Sequence, residues 1–191
     1  KPLKHHYAMI GTAFIAQDYP LYYDAVNEKG LAIAGLNFTG NAYYGLPVQG
    51  RDNLAVYELI PWLLGDCANV KECQKKLENV NLTNISINDE LPVAQLHWII
   101  ADKKEAITLE AVDDGMHIYP NPVGILTNNP AFPLQMFQMN NYMHLSARPP
   151  QNLFAKGLPL DVYCHGMGTL GLPGGLSSQS RFVRAAFVKM N

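Results

Sequence analysis

QLHWIIADKKEAITLEAVDDGMHIY, residues 95–119, decides the fold class. Its three runs, Gln95 to Ala101, Ala106 to Val112 and Met116 to Tyr119, are apolar and separated only by Asp102-Lys103-Lys104-Glu105 and Asp113-Asp114-Gly115. The Asp-Gly step favours a tight antiparallel reversal, so the segment reads as a meander of hairpins and not as βαβ units.

Upstream, His6 to Ala16 and Leu31 to Phe38 are apolar and poor in breakers. Both read as buried strands, paired as neighbours, with Asn27-Glu28-Lys29-Gly30 as a turn before the second. Gly40 to Asn53 reads as a long loop whose end, Asp52 or Asn53, caps a helix over Leu54 to Leu64. Pro61 should kink or divide that helix, because proline donates no backbone hydrogen bond. Asn69 caps a second helix, Val70 to Asn79. Downstream the pattern predicts a short strand over Val123 to Thr127, a helix over Phe132 to Tyr142, and a long Pro/Gly-rich connection over Leu145 to Gly175. Ser177 or Ser178 then caps a helix with Phe182, Val183, Ala186, Phe187 and Met190 on one face. Successive antiparallel strands flanked by helices make an α+β layered domain. No internal repeat or domain boundary is visible.

Composition limits the function classes. The 191 residues are 48% hydrophobic and 16% charged, enough for one well-packed domain. A net charge of -2 gives no broad attraction to nucleic acid or to an anionic membrane, so neither is expected as a partner. Cys67, Cys73 and Cys164 form no CxxC pair, which argues against a disulfide scaffold or structural zinc and makes a reducing cytoplasm the simpler setting. No apolar run reaches the roughly 18 to 20 residues of a membrane span, and the chain reads as soluble. The sequons at Asn37, Asn81 and Asn84 carry little weight without a secretory signal.

Several motifs dissolve on inspection. Gly166-Met167-Gly168-Thr169-Leu170-Gly171 spells a dinucleotide fingerprint, but it joins no strand to a helix, and Pro173-Gly174-Gly175 follows at once. Cys164 and His165 are sequence neighbours in an extended segment and point to opposite faces, a poor arrangement for a catalytic dyad. His5-His6, His97, His117 and His144 lack metal-ligand spacing, so no metal or other cofactor is expected. Ser177-Ser178-Gln179-Ser180 has no nucleophile elbow, and capping accounts for it. Two features resist such readings. Leu126-Thr127-Asn128-Asn129-Pro130 sets two amides after an apolar run, where a carboxamide N–H can serve as an oxyanion donor, though Asn-Pro is also a turn signal. Arg181 sits in the first turn of a helix, against the dipole, at a cost of about 0.3 to 1 kcal/mol. It has either a specific partner or a solvated position.

Together Asp18-Tyr19-Pro20, Asn27-Glu28-Lys29-Gly30-Leu31, Ala34-Gly35-Leu36-Asn37-Phe38, Leu96-His97-Trp98, Gly124 to Pro130, Gly171-Leu172-Pro173-Gly174 and Ser180-Arg181-Phe182 resemble the choloylglycine hydrolases, in family order and across nearly the whole chain. That family includes bile salt hydrolases and penicillin V acylases. The resemblance implies an N-terminal nucleophile (Ntn) hydrolase, an αββα four-layer sandwich, here incomplete: one partial domain lacking the strand with the nucleophilic cysteine and a C-terminal segment. It implies a bacterial, cytoplasmic enzyme without metal or cofactor that hydrolyses amides of conjugated bile salts, with penicillin V or other N-acyl amides as the alternative. Residues 1–191 alone are expected to be inactive and to act at most as a binding or assembly fragment.

By the same resemblance Asn37 is the oxyanion-hole asparagine, Asn128 a second active-site amide and Arg181 the active-site arginine. Asparagine at position 37 favours the bile salt branch, since penicillin V acylases tend to carry tyrosine there. The stretches around Ala16 to Tyr23 and Asn84 to Ala94 border the family's substrate pocket, which puts Ala16, Tyr19, Leu21, Phe38, Ile87 and Leu91 forward as substrate contacts. The connection Leu145 to Gly175 resembles an extension used in assembly, implying a homotetramer.

Overall fold

The computed structural model describes residues 6–191. Met9–Ala16 (β1), Tyr19–Asn27 (β2), Ala32–Asn37 (β3), Leu96–Ala101 (β6), Ala106–Val112 (β7) and Gly115–Pro120 (β8) form one antiparallel sheet in the order β1-β2-β3-β6-β7-β8. Asp52–Ala55 (β4) and Val80–Thr83 (β5) pair in parallel as a separate two-stranded sheet. The helices are Leu59–Leu64 (α1), Val70–Leu77 (α2), Phe132–Gln138 (α3) and Ser178–Met190 (α4). The class is α+β, as the meander indicates.

Helices cover both faces of the large sheet. Ile33, Trp98, Ile100, Ile107 and Leu109 pack with α1, α2 and the small sheet in the main core. Opposite, Leu36, Ile99 and Tyr119 meet Phe132 of α3 and Phe182 and Ala186 of α4. Strand β7, next to the edge strand β8, is thus buried on both faces, including the polar Thr108 and Glu110. Trp98 is completely buried, and its truncation to alanine should cost about 3 to 5 kcal/mol.

The first connection departs from the sequence reading. β2 lies between β1 and β3, which therefore are not neighbours. Gln17 and Asp18 both take positive φ, 50° and 60°, in a two-residue hairpin turn that twists with its strands. Pro20 and a register shift between Thr12 and Ala13 break the alternation that would have revealed β2. Asn27 ends β2 and is the junction of this half: its buried amide donates to Leu64 O and Cys67 O at 2.8 Å, while its oxygen accepts from Lys29 N and Leu31 N at 3.1 Å.

No helix begins at Leu54. Asn53 holds its loop by accepting from Val48 N at 2.7 Å and donating to Val48 O at 2.8 Å, so its side chain is not available as a cap. Asp52–Ala55 instead pairs with β5. A 3-10 turn over Val56–Glu58 precedes α1, and Pro61 falls in the first helical turn, where an N–H has no intrahelical acceptor. Asn69 does cap α2, accepting from Glu72 N at 3.1 Å while Glu72 accepts from Ala68 N at 2.7 Å. Ser177, not Ser178, caps α4 through Ser180 N at 3.1 Å.

Residues 123–127 form no strand. The Asn121 side chain serves this backbone instead, donating to Ile125 O at 2.9 Å and accepting from Gly124 N at 2.8 Å. Helix α3 stops at Gln138 and continues as a 3-10 turn over Met139–Tyr142. In the long connection, the glycine-rich motif is only a 3-10 turn, Met167–Thr169, entered through Gly166 at φ 82°. It offers no long helix N-terminus for a phosphate.

Candidate active site

Strand β3 ends at Asn37 beside an apolar cavity of about 560 Å³. The β1–β2 hairpin contributes Phe14, Leu21, Tyr22 and Tyr23 to its wall, the 3-10 turn contributes Tyr57, and residues 85–94 contribute Ile87, Leu91 and Val93. Asn88 shapes that last segment by accepting from Glu90 N and Leu91 N, at 3.1 and 2.9 Å. Gly35 and Trp98 form part of the floor, where a Cβ on Gly35 would lie 3.1 Å from the Trp98 indole nitrogen.

Asn128 reaches the same cavity from the loop before α3. Its Nδ2 donates to the main-chain carbonyl of Asn37 at 3.0 Å, and its Oδ1 accepts from Arg181 Nη2 at 2.8 Å. Arg181 Nε donates to Leu176 O at 3.2 Å. Three residues dispersed along the chain thus converge, with Asn128 as the bridge. Among the described residues no carboxylate pairs with Arg181, and the Asn37 carboxamide makes no hydrogen bond. A carboxamide with no hydrogen bond among the described residues therefore stands at the cavity, with the Arg181 cation behind Asn128 and outside the lining.

Of the expected substrate contacts, Leu21, Ile87 and Leu91 line the cavity. Tyr19 stands behind the wall, edge-on to Tyr57 with ring centroids 5.5 Å apart. Ala16 is buried at the end of β1 and is not part of the wall. Phe38 is turned away: it is fully buried and stacks on His97 at 4.3 Å. Burial, followed by the Glu58 carboxylate, pushes the Tyr19 hydroxyl up to about 12, and the same causes raise Tyr57. Both stay neutral near pH 7, and no charged side chain lines the cavity among the described residues.

Among the described residues the cavity also holds no histidine or cysteine. Cys67 and Cys73 are buried in the α1–α2 core, where the hydrogen bond with Cys67 and then burial raise the Cys73 thiol, while Cys164 is exposed in the long connection. The described residues supply an apolar cavity with one unbonded carboxamide, Asn37, beside it, without a nucleophile and base in contact. Sequence reasoning missed Tyr57, Phe14 and the buried group His97, Glu110, Thr127 and Gln135. Only the alternation of β7, which sets Thr108 and Glu110 on the face opposite Ile107 and Leu109, carried a signal for that group.

The model for linear amide C–N hydrolases of the choloylglycine hydrolase family matches residues 1–191. The chain belongs to the choloylglycine hydrolase family. It is 55% identical over 189 residues to a bile salt hydrolase/transferase of Lactiplantibacillus plantarum, covering 99% of this chain and 58% of that protein. A conjugated bile acid hydrolase of Lactobacillus acidophilus is 40% identical over 186 residues, with 96% and 59% covered. The chain therefore spans somewhat under two thirds of the length of these relatives. A variant of the conjugated bile acid hydrolase from Clostridium perfringens, 34% identical, superposes with a TM-score of 0.90 over all of this chain and 58% of that one. A penicillin V acylase from Agrobacterium tumefaciens shares the fold at 21% identity and a TM-score of 0.66, covering 88% of this chain and 45% of that one.

Proposed function

We propose that this choloylglycine hydrolase family member releases glycine or taurine from conjugated bile salts, using an N-terminal cysteine supplied outside residues 1–191. The observation that carries this reading is the Asn128 amide joining Asn37 and Arg181 beside an apolar cavity of about 560 Å³. A steroid body needs an apolar enclosure, and an amide carbonyl under attack needs fixed N–H donors where its charge develops. In this reading the cysteine's α-amine, with an unperturbed pKa of about 8, accepts the thiol proton. The thiolate attacks the amide carbonyl, the amino acid leaves, and water hydrolyses the resulting acyl-enzyme. Asn37 donates to the oxyanion, Asn128 holds the Asn37 segment in place, and Arg181 adds positive charge beside them.

The test is amino-acid release by the intact protein from glycine- and taurine-conjugated bile salts, beside penicillin V at equal concentration. Fast glycine or taurine release supports the proposal; preference for penicillin V moves the protein to the acylase branch. Residues 1–191 expressed alone should release neither. The intact protein is proposed to be a cytoplasmic homotetramer; exposed Leu153, Phe154 and Tyr163 in the long connection support that assembly, and light scattering of the purified protein checks it. Among the described residues, no helix is long and apolar enough to cross a membrane.

A further inference from the structure

We infer that His97 and Glu110 are positioning residues of the candidate site, acting on it through Asn128; the inference rests on the functional reading above. His97 lies in β6 and Glu110 in β7, both on the face opposite the cavity, with side chains 0% and 1% exposed. Neither touches the cavity, and neither is needed to complete an apolar core. A fully buried polar pair calls for hydrogen-bond partners that an aliphatic residue could not serve.

That partner is the loop that carries Asn128. His97 Nε2 lies 2.7 Å from Thr127 O, and a carbonyl only accepts, so Nε2 carries the hydrogen. His97 Nδ1 meets Glu110 Oε1 at 2.9 Å, and the same oxygen accepts from Phe132 N at 2.9 Å. One imidazole–carboxyl unit therefore pins the loop at both ends, immediately before Asn128 and at the entry to α3. Gln135 closes the loop from within by donating to Asn128 O at 2.6 Å and Pro130 O at 2.7 Å.

The imidazole also reaches the other asparagine. Its ring lies flat on Phe38, at 6° between planes, and Phe38 follows Asn37 directly. A single buried ring thus fixes the residue after Asn37 and the residue before Asn128. The Asn128-to-Asn37 hydrogen bond spans the two segments it holds. Displacing a positioned group by about 1 Å can cost on the order of 100-fold in rate, so small loop shifts matter here.

The experiment uses the intact protein and bile salt hydrolysis as the readout. His97→Gln should lower kcat roughly 10- to 100-fold with KM little changed. Glu110→Gln keeps an acceptor for Phe132 N but removes the carboxyl group that His97 Nδ1 meets, so it should act in the same direction. The decisive comparison is the double variant. If His97 works through Asn128, His97→Gln adds little to the loss already caused by Asn128→Ala, whereas an independent packing defect multiplies with it. Additive losses, or a His97→Gln protein that keeps full kcat, overturn the inference and leave the functional reading intact. Full turnover by Asn128→Ala overturns both. Should His97→Gln fail to fold, the same cycle with Glu110→Gln decides the question.

Discussion

The side chain of Asn128 donates to the main-chain carbonyl of Asn37 at 3.0 Å, across 91 residues of sequence. Among the described residues the Asn37 carboxamide itself makes no hydrogen bond at the cavity, while the Asn128 oxygen is occupied by Arg181. The two asparagines therefore differ: both ends of the Asn128 side chain are held by the fold, and in the proposed reading Asn37 is the one that meets a substrate.

Asn37→Ala in the intact protein should accordingly lower kcat by about 100- to 1,000-fold, the usual loss for an oxyanion donor. Its thermal stability should hardly change, because the side chain is exposed and makes no hydrogen bond among the described residues. Steady-state kinetics beside a melting curve separates the two effects. A parallel drop in melting temperature would assign Asn37 to the framework.

Arg181→Lys tests whether charge alone suffices. Arginine uses Nη2 on Asn128 and Nε on Leu176 O at once, a two-point hold that an ammonium on a flexible stem does not reproduce. Turnover should fall more than about tenfold even though the charge is kept, since losing a charge-assisted bond costs about 1.5 to 3 kcal/mol. Wild-type kcat in Arg181→Lys would reduce the residue to a point charge.

How far the sequence reaches can be judged at these residues. The meander over 95–119 exposes the α+β class because its turns are short and one contains Asp-Gly. Strand β2 stays hidden because Pro20 and a register shift interrupt its alternation, and β4 because Asn53 looks like a cap while its side chain actually ties down its own loop. The convergence of Asn37, Asn128 and Arg181 follows from no spacing; family resemblance singles these residues out. One physical clue did exist. A cation in the first turn of α4 has either a specific partner or a solvated position, and here it has a partner, Asn128 Oδ1. His97 and Glu110 were illegible because each is separated from its loop contacts by 22 residues or more.

Leu91→Ser should raise KM for conjugated bile salts with kcat little changed. Leu91 lines the cavity with an apolar side chain only, so in this reading it binds ground state and transition state alike. Burying a leucine contributes about 1.5 to 3 kcal/mol when complete, so a rise of roughly tenfold is expected at this partly enclosed position. A fall in kcat at constant KM would place Leu91 nearer the chemistry.

Asp102 gives the fold a defined acid sensitivity. Its carboxylate accepts from Val70 N at 2.9 Å, from Lys104 N at 2.7 Å and from Glu105 N at 3.1 Å, joining the β6–β7 turn to the start of α2. These N–H groups, Val70 first, hold its pKa below the ordinary value of 3.8. A carboxyl whose folded pKa is depressed stabilises the fold fully above its unfolded value, about 3.9, and loses that contribution as pH falls through the lower folded value. Asp102→Asn should therefore be less stable than wild type at neutral pH, with the gap narrowing below about pH 4. Urea unfolding at a series of pH values measures this directly. A gap that stays constant down to the acid limit would mean that the carboxylate's charge contributes nothing and that the turn is held by shape alone.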